Sequence, residues 1–152
     1  MAVFCVAGPI RSGKTTRLAA WATATTGAAG LLMPDTAAGR VFQDIDSGAT
    51  WPTAAAPDDV NPLIIGRFAF SRAAFARANA ALLAAACHSR TQWLLVDEVG
   101  PLELRGEGLA PALRQLLVPG CAGLVLVVRE SLREAVAVEF QIDDFVAFEY
   151  LV

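Results

Sequence analysis

The chain has 152 residues, 55% of them hydrophobic and 18% charged, with a net charge of −3 and a mean hydropathy of +0.50. That length suits one domain with a sizeable core, and a composition this apolar excludes intrinsic disorder. Twelve basic residues against fifteen acidic ones leave no electrostatic footprint for nucleic acid, which is therefore not an expected partner.

A membrane span is not expected either. The longest stretch without a formal charge, residues 18–34, is interrupted by threonines, Gly27, Gly30 and Pro34, whereas a spanning helix wants about twenty mostly apolar residues. The apolar start, Met1 to Ala7, has no basic residue before it and is short for a signal-peptide core. Cys5, Cys87 and Cys121 are scattered and odd in number, and read as free buried thiols, neither a disulfide frame nor a zinc site. The expectation is a soluble cytoplasmic protein, monomeric or weakly associating. Eleven of the twelve basic residues are arginine, and Lys14 is the one lysine. Whatever requires an ammonium is at Lys14.

In chain order, Ala2 to Ala7 reads as a strand, followed by a glycine-bearing loop and a helix from about Lys14 to Thr26 with Leu18, Trp21, Ala22 and Thr25 on one face. Leu31 to Met33 is a second short strand. Arg40 to Asp46 alternates, with Val41 and Ile45 on one side and Phe42 on the other, and with Thr50-Trp51 makes a small hairpin exposed on one face, within an insert spanning about 39–61. Leu63 to Ile65 is strand-like. Ser71 caps a helix to about Cys87 with Phe75, Ala78, Leu82 and Ala86 on one stripe. Trp93 to Val96 is a continuously apolar strand, then come a loop, a helix from about Leu109, an apolar strand Gly123 to Val128, a helix Glu130 to Phe140 and a last strand Phe145 to Tyr150. Apolar strands alternating with helices predict one α/β domain over residues 1–152, a mostly parallel central sheet covered by helices on both faces in three layers, with a small antiparallel hairpin insert.

Gly8-Pro9-Ile10-Arg11-Ser12-Gly13-Lys14-Thr15 matches G-x-x-x-x-G-K-[ST] at every fixed position, between a strand and a helix. A random chain of this length shows the pattern roughly once in two hundred. The glycines let the backbone curl so that successive N–H groups face phosphate oxygens, and the helix amino end adds partial positive charge. Lys14 then reaches the β- and γ-phosphates, and the Thr15 hydroxyl is a Mg²⁺ ligand. A phosphate-loop protein also needs an acidic residue at the end of another apolar strand to help hold Mg²⁺, and Asp97 ends Trp93 to Val96. Glu98 follows it. Neighbouring strand residues point in different directions, so one carboxylate can face the metal and Glu98 the attacking water.

The phosphate loop together with Val96-Asp97-Glu98-Val99-Gly100-Pro101-Leu102-Glu103-Leu104 resembles the small P-loop nucleoside-triphosphatase family, the cancer-related NTPase group, whose second motif reads D-E-I-G-x-x-E-L. Gly39-Arg40-Val41-Phe42 and Gly66-Arg67-Phe68 resemble that family's segments ahead of the motif, and the likeness runs from residue 2 to about residue 130. The resemblance implies a RecA-like sheet and slow Mg²⁺-dependent hydrolysis of ATP, GTP and other nucleoside triphosphates with little base preference. Carried over, it puts phosphate binding on Gly8 to Thr16, that is Gly8, Pro9, Ile10, Arg11, Ser12, Gly13, Lys14, Thr15 and Thr16. Metal binding falls on Thr15 and Asp97, and water activation on Glu98. Pro101 stands where many members have lysine, so any role of that lysine is absent here or carried by an arginine.

Arg129 directly follows the strand Gly123 to Val128, where ligands of parallel sheets sit, and is the candidate for meeting γ-phosphate charge. Arg40 and Arg67 are further candidates to line the site. Phe42 and Phe68 are candidates for an apolar wall against a base, and Glu103 is read as ordering its loop. Two alternatives use the same loop. One is a nucleoside or small-molecule kinase with its acceptor site in the insert. The other is a nucleotide-dependent assembly module that docks a protein partner through Arg40 to Trp51.

Overall fold

The computed structural model describes residues 3–8, 13–118 and 123–148. Its elements run β1 (Val3–Gly8), α1 (Lys14–Ala24), β2 (Ala28–Leu32), β3 (Asp35–Thr36), β4 (Gly39–Asp44), β5 (Thr50–Pro52), β6 (Leu63–Ile65), β7 (Phe68–Phe70) and α2 (Arg72–Cys87). They continue with β8 (Trp93–Val99), α3 (Pro101–Leu104), α4 (Ala110–Leu116), β9 (Gly123–Arg129), a 3₁₀ turn (Glu130–Leu132), α5 (Arg133–Glu139) and β10 (Val146–Ala147).

The main sheet has the order β10-β1-β9-β8-β2-β4-β3, with β5 on the far side of β4. From β10 through β2 every pairing is parallel, and β4 joins β2 antiparallel. Strand β9 therefore separates β1, which leads into the phosphate loop, from β8, which carries Asp97.

Alternation sorts the apolar strands into two layers. Leu94 and Val96 of β8 and Leu124, Leu126 and Val128 of β9 face a large core with Phe75, Ala78 and Leu82 of α2, the buried face of α4, and Val136 of α5. Leu95, Val125 and Val127 face the other way, onto Leu18, Trp21 and Ala22 of α1. These are the stripes that the helical spacing marks. Ser71 caps α2 by accepting from Ala74 N–H at 3.1 Å. Gly30 (φ 115) lets β2 lie close on β8, because a Cβ there would run into the Leu95 backbone.

Several expectations need correction. The second strand starts earlier, at Ala28, because pairing with β8 from Ala28↔Trp93 recruits a segment with little intrinsic strand signal. Antiparallel structure reaches from Asp35 to Phe70, beyond the 39–61 insert, since β6 and β7 form a second hairpin turning at Gly66-Arg67. Phe42 is fully buried, its ring 4.9 Å from that of Phe75 and 5.6 Å from that of Trp51, so it is core and not a wall against a base. The loop after Glu98 contains the short helix α3, started by Pro101 at its first turn. Cys87, at the last turn of α2, is exposed and not buried. Cys5 is buried, which pushes its thiol pKa up against the opposing effect of Arg133. Cys121 lies outside the described residues, as do Met1, Ala2, Glu149 and Tyr150.

Candidate functional site

Gly13 (φ 79) ends the phosphate loop in a left-handed conformation that favours glycine, and α1 begins at Lys14. Its N-cap, Gly13, has no side chain to cap α1 with, and the first turn holds no acidic residue, so among the described residues the amino end of α1 offers N–H groups and partial positive charge to an anion. Pro9, Ile10, Arg11 and Ser12 lie outside the described residues, while Gly8 is the last residue of β1.

The two motifs meet in one hydrogen bond. The Thr15 hydroxyl donates to Asp97 Oδ2 at 2.8 Å, and the Met33 backbone N–H donates to the same oxygen at 3.0 Å. Alternation explains the reach: Asp97 shares the face of Leu95, the face that α1 covers. Asp97 is fully buried, and its Oδ1 has no partner among the described residues. Burial pushes its carboxyl above the ordinary range. The Met33 and Thr15 bonds and the charge of Arg40 oppose that rise, whereas Glu98 adds to it. A buried carboxylate with one bare oxygen is costly unless a cation meets it. Hard oxygen donors from a carboxylate and a hydroxyl suit Mg²⁺, which takes one or two protein ligands and completes its shell with phosphate oxygens and water. The residues present therefore fit that ion.

Glu98 sits in a bulge. Between Val96↔Leu126 and Val99↔Val128, β8 spends one residue more than β9, and Glu98 adopts φ 58. A left-handed non-glycine residue is strained, and such strain gathers at functional positions. The bulge also returns Val99 to the core face that Val96 occupies, which frees Glu98 from that face. Its carboxylate meets Arg40: Nη1 lies 3.4 Å from Oε1, with both side chains 36% exposed.

Glu103 is 3% exposed and staples the segment behind Glu98. Its Oε1 accepts from Gly100 N–H and its Oε2 from Leu109 N–H, each at 2.8 Å. Gly108 packs so close that a Cβ there would strike this carboxylate. Burial pushes its pKa up to about 7 against the backbone N–H bonds of Leu109, Gly100 and its own amide. The loop-ordering role expected for Glu103 is visible in these bonds.

Arg129 is the exposed last residue of β9 and pairs in register with Gly8, the last residue of β1. Arg67 is placed differently: its guanidinium lies 5.2 Å from the centroid of the exposed Phe68 ring, in the β6–β7 hairpin. Three contributors escape sequence reading. Met33 acts through its backbone, Asp35 holds Arg40 through a two-bond fork, and the bulge at Glu98 depends on pairing with β9.

No protein-family model matches the sequence, and no curated protein matches it. Solved structures do. A human cancer-related nucleoside triphosphatase aligns with a TM-score of 0.70 at 20% identity, over 97% of this chain and 88% of that one. The fold is shared. THEP1 from the hyperthermophile Aquifex aeolicus aligns with a TM-score of 0.72 at 16% identity, over 97% of this chain and 89% of its own. The architecture that the sequence resemblance implies is thus the one the chain adopts, a mixed α/β P-loop NTPase fold with a mostly parallel sheet. Among the described residues no helix is long and apolar enough to cross a membrane.

Proposed function

We propose that the chain is a Mg²⁺-dependent triphosphatase that hydrolyses the γ-phosphate of ATP, GTP and other nucleoside triphosphates with broad base specificity. The observation that carries this reading is the Thr15–Asp97 hydrogen bond beside the bare, buried Asp97 Oδ1. It joins the phosphate-loop hydroxyl to the strand-end carboxylate with one oxygen left to give. Residues Gly8 to Thr16 cradle the phosphates, Lys14 supplies the ammonium, and Thr15 and Asp97 hold the metal. Mg²⁺, when bound, neutralises charge on the phosphate oxygens. Glu98 orients the attacking water and takes its proton, and Arg129 faces the charge that spreads over the γ-phosphoryl oxygens.

The insert supports hydrolysis over transfer to a second substrate. Phe42 and Trp51 are buried in the core, and Trp51 Nε1 donates to Ala74 O at 3.0 Å, so the two large aromatic rings of the insert are not left to line an acceptor pocket. The test is phosphate release from ATP, GTP, CTP and UTP with Mg²⁺, for wild type and Glu98→Gln in parallel. Comparable release from all four, lost in the variant while nucleotide still binds, is the expected result. Binding without release by the wild type refutes it.

A further inference from the structure

Glu98 has a problem of aim. Its backbone is held by a bulge, yet its side chain is 36% exposed, so packing does not select one rotamer. A group that orients water must be held within a fraction of an ångström, because small misplacements cost up to about a hundredfold in rate.

We infer that Arg40 is the positioning residue for Glu98, its guanidinium held in a fixed orientation by Asp35 so that Nη1 aims the Glu98 carboxylate. The inference rests on the hydrolase reading, in which Glu98 handles the water. The guanidinium is planar with its donors in a rigid fork. Nε and Nη2 donate to the two carboxylate oxygens of Asp35, at 3.2 and 3.0 Å, which leaves the Nη1 edge toward Glu98 Oε1 at 3.4 Å. The Arg40 backbone is pinned too. Asp35 and Arg40 are paired in register across β3 and β4, and the Arg40 carbonyl accepts from both the N–H and the hydroxyl of Thr53, a buried residue. Strand β4 in turn pairs with β2, and β2 with β8, so one sheet carries the guanidinium and its target.

Charge gives the arrangement a second use. Asp97 and Glu98 are adjacent carboxylates that must coexist with an anionic substrate, and Arg40 offsets part of that repulsion. An ion pair this exposed contributes little to folding stability, so its value is orientation, and removing it leaves a folded chain.

The test is steady-state hydrolysis of Mg·ATP, with nucleotide affinity and thermal unfolding measured on the same samples, for wild type, Arg40→Ala, Arg40→Lys, Asp35→Asn and Glu98→Gln. Arg40→Ala is expected to lower kcat roughly ten- to a hundredfold while nucleotide affinity changes less than about threefold. Guanidinium ion at millimolar concentration restores part of that loss and does nothing for Glu98→Gln. Arg40→Lys keeps the charge without the fork and stays low. Asp35→Asn, which loosens the fork and keeps the arginine, loses several-fold in kcat at an unchanged unfolding midpoint, and it decides the matter should Arg40→Ala not fold. An Arg40→Ala chain with wild-type kcat beside an inactive Glu98→Gln overturns the inference and leaves the hydrolase reading standing. So does a loss of nucleotide affinity as large as the loss of kcat, which makes Arg40 a phosphate ligand. Full turnover by Glu98→Gln instead refutes the assignment of Glu98, and the inference falls with it.

Discussion

Replacing Glu103 by glutamine tests how the segment behind Glu98 is held. In the wild type this carboxyl is 3% exposed, and burial outweighs its backbone bonds, raising its pKa from 4.5 to about 7. A folded-state value above the unfolded one means that folding favours the protonated group. Its contribution to stability is therefore fully present below the unfolded value of 4.5 and is lost as pH rises through about 7. At about 1.4 kcal/mol per pH unit, that rise corresponds to a loss of about 3 kcal/mol between pH 4 and pH 8. Glutamine never ionises and escapes this loss. It does set an NH₂ group against one of the two backbone N–H donors, Gly100 or Leu109, a cost of about 1–3 kcal/mol that does not depend on pH. Glu103→Gln is thus expected to be less stable than wild type at pH 5, with the gap closing or reversing by pH 8. Urea unfolding of both chains at pH 5, 6, 7 and 8 measures it, and the difference between them cancels the other titrating groups. A gap that stays constant, or widens with pH, refutes the reasoning. The backbone bonds would then hold an ionised carboxylate against burial.

Two further outcomes are expected. Thr15→Val removes the donor to Asp97 Oδ2 at nearly constant volume and is expected to destabilise the nucleotide-free chain by about 1–2 kcal/mol, while Thr15→Ser stays close to wild type. In thermal unfolding, protection by Mg·nucleotide is lost in the valine variant and kept in the serine one, and equal protection in both removes Thr15 from the metal site. Gly30→Ala combines φ 115 with a Cβ driven into the Leu95 backbone, which cannot step aside within a paired strand. A loss of about 3 kcal/mol or more is expected by denaturant unfolding. A near-neutral result means that β2 and β8 separate more freely than their pairing implies.

The sequence by itself determined the elements whose signal is local. The G-x-x-x-x-G-K-[ST] motif from Gly8 to Thr15 is legible because the chemistry proposed for it demands particular residues at fixed spacing. The apolar runs of β8 and β9 are legible because burial on both faces of a sheet leaves a strand continuously apolar, and the stripes of α1 and α2 because burial on one face leaves a helical periodicity. Asp97 was readable as the residue that ends such a run. Tertiary structure decided what depends on neighbours distant in sequence. Which face of the β4 hairpin meets the core is not written in its alternation, and α2 settles it by packing Phe75 on Phe42. The 3₁₀ turn and α5 follow local signal, but the bulge that re-aims Glu98 exists only because β8 must keep step with β9. Met33 enters the site through an amide that every residue but proline carries, so no side-chain pattern could announce it. Arg40 was readable only as one of several arginines that could line the site, and the register of β3 and β4 is what set it between Asp35 and Glu98. Motifs record which groups a site requires, whereas the orientation of those groups comes from strand pairing and packing across the whole sheet.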